Sequence, residues 1–154
     1  MDPISFKPDE GETLVFKFET DSTVPNEVFC LTIIDAHTGQ ITRYAPGYLR
    51  IWDGLERLRA AKLTISHSNF HRKVATKYYG IALDRFFDTF AAAKERMPHD
   101  THKLSDWAQA FQMPLPRGGA NDVWSSALQH RCDSGARVIL RLYLELTAPA
   151  EAQV

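Results

Sequence analysis

The feature that most constrains the fold of this chain is a change in its hydrophobic pattern near residue 48. Before that point, three short apolar stretches rich in β-branched and aromatic residues predict β-strands. After it, apolar residues recur at helical spacing, with one further short strand among the helices. The predicted strands cover 13–18, 28–34, 41–44 and 63–66, and the predicted helices cover about 49–61, 69–77, 88–94, 104–111 and 123–146. Strands followed by helices that lead back into a sheet predict an α/β fold.

The size and charge of the chain limit its function. Its 154 residues are 44% hydrophobic, which is enough apolar material for one packed core. We therefore expect a single domain over 1–154, with its core at about 12–147, a loose N-terminal arm and a short C-terminal tail. The formal net charge of -1 excludes a general polycationic nucleic-acid binder, because such proteins need a strong positive field.

The first ten residues lack the basic start and apolar stretch of a secretory signal, and no run of about 18 apolar residues predicts a membrane span. Cys30 and Cys132 lie far apart and lack CxxC spacing, which argues against a disulfide framework or a cysteine zinc site. A cytoplasmic protein without membrane contact is therefore the simplest expectation.

Two acidic residues stand near opposite ends of the chain, Glu19 just past the first predicted strand and Asp133 in the last predicted helix. The segments that can carry chemistry are Phe16-Lys17-Phe18-Glu19-Thr20-Asp21, His67-Ser68-Asn69-Phe70-His71-Arg72-Lys73-Val74, Asp88-Thr89, Thr101-His102-Lys103-Leu104 with Trp107, and Gln129-His130-Arg131-Cys132-Asp133. Their order and spacing resemble the DEDD superfamily of 3′-5′ exonucleases, and most closely the proofreading domain of phage family A DNA polymerases.

This resemblance extends over about residues 13–146. It implies a ribonuclease H-like exonuclease fold, which is an α/β fold with a mixed sheet, antiparallel N-terminal strands and flanking helices. It also implies the motifs Asp-x-Glu, His-Asn followed by Tyr-Asp, and Tyr-x3-Asp. In the family, four carboxylates from these motifs hold two divalent cations, which activate water and stabilise the leaving oxygen.

The chain departs from that pattern where the metals would bind. At the substituted positions, Lys17 and Lys73 replace two aspartates, Ser68 replaces the asparagine and Gln129 replaces the tyrosine. The remnant acids are Glu19 and Asp133, with Asp88 as an auxiliary acid. An ammonium group cannot ligate Mg²⁺, which needs oxygen ligands, and it also repels the cation. We therefore expect no catalytic residue, no metal and no cofactor.

The last motif has a second register. Shifted by two residues, it places Arg131 at the tyrosine and Gly135 at the aspartate, which leaves Glu19 as the single remnant acid. The lysines also have two interpretations. Lys17 and Lys73 either form ion pairs with Glu19 and Asp133, or they bind a phosphate where the scissile one would lie. Ion pairing is favoured slightly, because buried charges tend to be paired.

A local basic and aromatic patch is the strongest sign of nucleic-acid binding. Its residues are His71, Arg72, Lys73, Lys77, Tyr78 and Tyr79. Such a patch binds phosphates and stacks on bases. The alternative interpretation, a solvated helix face with two packed tyrosines, is somewhat favoured.

Other histidines and aromatic residues have simpler explanations than a site. His67 and His71 have the spacing of a two-histidine metal site, but no third ligand is obvious and unrelated roles are favoured. Capping or surface exposure explains His99 and His102. The three tryptophans, Trp52, Trp107 and Trp124, stand at apolar helical positions and are predicted to lie in the core.

These observations predict a catalytically inactive, exonuclease-like accessory protein of phage origin that acts in the host cytoplasm. Its partner is expected to be a single-stranded nucleic acid or a host or phage protein. One alternative is an active exonuclease that uses Glu19, Asp133 and either Asp88 or Asp21 with one Mg²⁺ or Mn²⁺. Another is a protein-only inhibitor or scaffold. The sequence leaves open the choice between DNA and RNA, and the oligomeric state.

Overall fold

The computed structural model describes residues 11–20, 28–98, 100–116 and 124–149. Five strands form one mixed sheet in the order β3-β2-β1-β4-β5. They are β1 (Thr13–Thr20), β2 (Val28–Asp35), β3 (Ile41–Tyr44), β4 (Leu63–Ser66) and β5 (Phe86–Asp88). The β1–β2 and β2–β3 pairs are antiparallel, whereas β4 pairs in parallel with both β1 and β5. The prediction of a mixed sheet with antiparallel N-terminal strands is therefore confirmed.

Helices cover both faces of this sheet. They are α1 (Ile51–Ala60), α2 (Phe70–Tyr79), α3 (Thr89–Arg96), α4 (Leu104–Ala110) and α5 (Ser126–Thr147). Leu55 and Leu58 of α1 and Val74 of α2 pack in one buried cluster with Phe16 and Phe18. On the opposite face, α5 packs on β1 and β2, and both α3 and α4 pack against α5. No helix in these described ranges is long and apolar enough to cross a membrane.

The alternation of side chains along β1 determines which residues face α5. Leu14, Phe16 and Phe18 belong to the cluster on the α1 and α2 side. Because strand side chains alternate between faces, the odd-numbered residues point toward α5. Val15 packs there against Ala136 and Ile139. Two other odd positions, Lys17 and Glu19, therefore bring charged side chains onto the face that α5 covers.

Four strands end at the same edge of the sheet. The pairings make β1, β4 and β5 parallel, and β3 runs in the same direction because two antiparallel steps separate it from β1. The segments that follow β3, β4 and β5 consequently begin at this edge, which we call the carboxyl end of the sheet. Ligands of open α/β sheets bind outside the carboxyl ends of the strands. Glu19 lies at this end of β1.

The structure differs from the predicted elements in a few places. Strand β5 was not predicted, because its three residues are too short for a periodic pattern. Helix α5 begins at Ser126 because the Ser125 hydroxyl caps it, accepting a hydrogen bond from the Leu128 backbone N–H at 3.1 Å. The expected N-terminal arm, except Gly11, and the C-terminal tail beyond Pro149 lie outside the described residues.

Candidate functional site

Glu19 is the remnant acid that faces α5, and two cations hold its carboxylate. The side chain of Lys17 donates from Nζ to Oε1 at 2.5 Å, and that of Arg131 donates from Nη2 to Oε2 at 2.9 Å. Glu19 is only 7% exposed. The expected Lys17–Glu19 pair is present, and Arg131 is a second partner. We call these three residues the Glu19 cluster.

Helix α5 brings Gly135 directly against Lys17. A Cβ atom placed on Gly135 would lie 2.6 Å from both Cδ and Cε of Lys17, which is closer than real Cβ contacts. Residues four apart lie on one side of a helix, so Arg131 and Gly135 approach β1 together. The absence of a side chain at Gly135 thus makes room for the lysine that pairs with Glu19.

Asp133 belongs to a different set of contacts. Its Oδ1 accepts hydrogen bonds from the Thr32 hydroxyl at 2.7 Å and from Gln129 Nε2 at 3.0 Å. Its Oδ2 accepts from Arg43 Nε at 2.7 Å. We call these four residues the Asp133 cluster. The expected pair of Asp133 with Lys73 is wrong, because α5 directs Asp133 toward β2 and β3.

Lys73 lies on the exposed side of α2. With four neighbours it lines an open groove of about 420 Å³, formed by Asn69, Arg72, Lys73, Thr76 and Lys77. We call it the α2 groove. Within the described part of the chain, Lys73 forms no ion pair with either remnant acid. Ion pairing with the remnant acids is therefore wrong for this lysine, and phosphate binding stays a prediction.

The two tyrosines at the end of α2 pack inward. Both contact the hydrophobic core on the α1 and α2 side. The Tyr79 ring stacks on Phe18 with centroids 6.4 Å apart and an interplanar angle of 12°. Lys77 Nζ lies 5.4 Å from the centroid of the Tyr78 ring. Tyr78 and Tyr79 are therefore packed side chains, as the favoured interpretation predicted, and not free rings that could stack on bases.

The histidines of the second motif have separate structural partners. His67 makes hydrogen bonds with the Thr89 hydroxyl at 2.8 Å and the His102 carbonyl oxygen at 2.5 Å. His71 Nδ1 accepts a hydrogen bond from the Phe18 N–H at 3.2 Å. Distinct roles for His67 and His71 are therefore confirmed. Surface exposure of His102 is wrong, because its ring is buried and bonded to the Met97 carbonyl.

The buried ring of His71 predicts a loss of stability in mild acid. Burial, with repulsion from Lys17 and His67, lowers its pKa well below the usual 6.5. The unfolded chain therefore binds more protons once the pH falls below about 6.5. The contribution of His71 to the free energy of unfolding should be intact above pH 7 and fall by up to about 1.4 kcal/mol per pH unit toward pH 5. Urea unfolding across this range measures the slope.

A matched pair of variants assigns this slope. His71→Asn should reduce the pH dependence, whereas His130→Asn, at an exposed position, should leave it unchanged. Equal slopes in the wild-type protein and in His71→Asn would contradict the assignment.

Asp88 and Ser68 also have structural roles. Asp88 Oδ1 accepts hydrogen bonds from the backbone N–H groups of Phe90 at 2.9 Å and Ala91 at 3.2 Å, so it caps α3. It also accepts from the Ser68 N–H at 2.9 Å, which stabilises that residue at a positive φ of 75°. Asp21 and His99 lie outside the described residues.

The donor set does not fit a divalent cation. Both oxygens of Glu19 contact cationic side chains, Asp133 is held by Arg43, and Asp88 serves as a helix cap. Among the described residues, no three or more histidine, cysteine, aspartate or glutamate side chains are grouped to hold a metal ion. A cation at this position would have to displace two ammonium or guanidinium groups before it reached an oxygen ligand.

Three features of the site were not foreseen. Arg43 pairs with Asp133 and Arg131 is a second partner of Glu19, and the one signal for Arg43 is its register opposite Thr32. Cys30 and Cys132 are free but lie in one buried cluster, and the contact with Cys132 raises the pKa of the Cys30 thiol. Trp52 is not in the core but 47% exposed, because α1 turns Leu55 and Leu58 toward the sheet instead.

No protein-family model matches the chain, and no curated protein matches it significantly. Several solved structures, however, match the fold of this chain. NrnC from Brucella melitensis superimposes with a TM-score of 0.68 at 19% identity, covering 93% of this chain and 76% of NrnC. RNase D from Trypanosoma brucei has the same TM-score of 0.68 at 10% identity, covering 96% of this chain and 61% of RNase D.

This chain has an exonuclease fold. Its mixed sheet and flanking helices match those of the two nucleases, so the expected ribonuclease H-like architecture is confirmed. Other structures of the Brucella protein contain Mg²⁺ or pGG, at TM-scores of 0.68 and 0.66 and identities of 20% and 18%. These cover 93% of this chain and 75% of NrnC. At these identities the likeness establishes the fold alone.

Proposed function

We propose that this chain is a catalytically inactive exonuclease-like protein that binds single-stranded nucleic acid. The observation that carries the proposal is the Glu19 cluster, in which Lys17 and Arg131 contact both oxygens of the acid that faces α5. The family resemblance implies several carboxylates and two metal ions at this position. Here the two cations and one carboxylate leave a net positive charge without any metal.

The second register of the last motif supports this proposal. Arg131 and Gly135 are the α5 residues that lie against Glu19 and Lys17, so they occupy the side where the tyrosine and aspartate would be expected. Asp133 points instead to Thr32 and Arg43. In this register the chain keeps one remnant acid, Glu19, and lacks the ligand set that metal-assisted hydrolysis requires.

The α2 groove supports nucleic-acid binding. Arg72, Lys73 and Lys77 line one open surface, although the net charge of the whole chain is only -1. A concentrated basic groove on a nearly neutral protein favours a local strand contact over general polyanion binding. One of the structures with this fold, Brucella NrnC, has been solved bound to pGG. A phage origin and a host-cytoplasmic location rest on the resemblance alone.

A combined cleavage and binding experiment tests the proposal. Labelled single-stranded DNA and RNA should remain intact with Mg²⁺ or Mn²⁺, and should bind with an affinity that falls as salt rises. Arg72→Ala and Lys77→Ala should each weaken binding to all sequences alike and lower the salt slope by about 1. Lys94→Ala, an exposed lysine on α3, is the matched control and should leave binding unchanged.

Two outcomes would overturn the proposal. Metal-dependent degradation that disappears in Glu19→Ala would establish an active nuclease instead. Failure of short oligonucleotides to bind even at low salt would leave a protein-only partner as the better account.

A further inference from the structure

The carboxyl end of the sheet carries exposed aromatic residues that the proposed function has not used. Tyr48 is 55% exposed and Trp52 is 47% exposed, and Leu49 between them is 53% exposed. They lie in the segment after β3 and in the first turn of α1, at the end of the sheet where Glu19 also lies. Large rings are costly to expose, so two of them in one short segment mark a binding surface.

Trp52 is the outer member of a series of rings that we call the aromatic column, formed by His71, Phe18, Tyr79 and Trp52. The His71 and Phe18 centroids are 6.2 Å apart, and those of Phe18 and Tyr79 are 6.4 Å apart. Trp52 follows with its centroid 6.1 Å from that of Tyr79. Trp52 therefore packs on Tyr79, behind which the rings of Phe18 and His71 follow, while nearly half of Trp52 remains exposed to solvent. A ring held in this way loses little freedom when a planar ligand stacks on it.

The aromatic column adjoins the α2 groove. Arg72, Thr76 and Tyr79 follow one another at steps of four and three residues, which places them along one side of α2. The basic residues Lys73 and Lys77 flank this side and line the groove. A surface that joins a row of cations to an exposed ring matches a ligand that joins phosphates to planar bases.

We propose that Trp52 is a stacking surface for a base of the single strand whose phosphates lie along the α2 groove. This inference rests on the proposed function and adds to it the contact that recognises bases. It also moves the stacking contact from Tyr78 and Tyr79, which are packed, to a ring that is 47% exposed. Tyr48, which meets Trp124 at a centroid distance of 6.4 Å, is a second exposed ring at this end of the sheet.

Fluorescence anisotropy with a labelled twelve-nucleotide single strand tests the stacking contact. Trp52→Ala should weaken binding about tenfold, within the range measured for loss of a base–aromatic stack, and Trp52→Phe should restore most of it. Leu144→Ala is the matched control, because Leu144 is a similarly exposed apolar residue, 48% exposed, on the C-terminal half of α5. This control should bind like the wild-type protein.

An abasic strand of the same length separates stacking from other effects. The wild-type protein should bind it more weakly than the normal strand, and Trp52→Ala should remove that difference. Unchanged binding by Trp52→Ala, together with weaker binding by Arg72→Ala, would overturn the stacking contact while leaving the proposed function intact. An equal loss of affinity for both strands in Trp52→Ala would also overturn it. No binding of either strand by the wild-type protein would overturn the proposed function itself and favour a protein occupant.

Discussion

Replacement of Asp133 by alanine should lower the free energy of unfolding by about 3 kcal/mol, the lower end of the range for breaking a buried ion pair, because the Arg43 side chain is 33% exposed. The carboxylate is 4% exposed and accepts hydrogen bonds from Thr32, Arg43 and Gln129. Its removal leaves the Thr32 hydroxyl and the Gln129 amide buried without this acceptor, and it leaves the Arg43 guanidinium without its counter-ion. Urea unfolding at pH 7 measures the loss.

A second substitution identifies the partner of Asp133. Adding Arg43→Met to Asp133→Ala should recover part of the lost stability, because the unpaired cation is then also removed. Adding Lys73→Met should recover none, since Lys73 is exposed on α2. A recovery with Lys73→Met and not with Arg43→Met would show that the described pairing is wrong. Wild-type stability in Asp133→Ala would show that the cluster is solvated.

The combined change Lys17→Asp, Arg131→Tyr and Gly135→Asp should create a metal site where the wild-type chain has ion pairs. Together with Glu19 it would place three carboxylates between β1 and α5, and it would remove both cations that contact Glu19. Mn²⁺ at about a hundred times its dissociation constant should then stabilise the variant by about 2.7 kcal/mol. For a chain of this size that corresponds to a rise in Tm of about 5–10 °C.

A variant built on the other register is the control for this prediction. Lys17→Asp with Gln129→Tyr keeps Asp133 as the α5 acid and should show no Mn²⁺-dependent rise in Tm, because Arg43 and Thr32 already hold that carboxylate. Thermal unfolding with Mn²⁺ or with a chelator compares the two variants and the wild-type chain. If Mn²⁺ stabilised only the control variant, Asp133 would be the α5 residue that binds the metal. The register that uses Arg131 and Gly135 would then be wrong.

Much of the fold could be predicted from the sequence because its patterns are local. Strand β4 was predicted with its observed bounds, since Leu63–Ser66 is short, β-branched and preceded by a helix end. The order of elements was sufficient to indicate the exonuclease fold. Strand β5 was missed because three residues carry no period, and its position depends on pairing with β4.

The site was harder to predict because its contacts join distant parts of the chain. The spacing Tyr-x3-Asp fits two registers on a single helix, and spacing alone does not show that Gly135 lies against Lys17 while Asp133 faces Thr32 and Arg43. The Arg43–Asp133 pair joins residues 90 positions apart. For Trp52, helical spacing indicated an apolar position. It did not show that the apolar stripe on α1 is wider than the part of the sheet that α1 covers, which leaves Trp52 exposed.

The close fit of Lys17 against Gly135 couples these two positions, so the effect of a substitution at one depends on the residue at the other. A Cβ atom added at Gly135 would push the flexible end of the Lys17 side chain aside and disturb its ion pair with Glu19. Replacement of Lys17 by a shorter residue removes this contact, so a larger residue at position 135 then displaces no lysine side chain. Return to a carboxylate-lined cleft would therefore disturb the packing less if the substitution at Lys17 came before the one at Gly135.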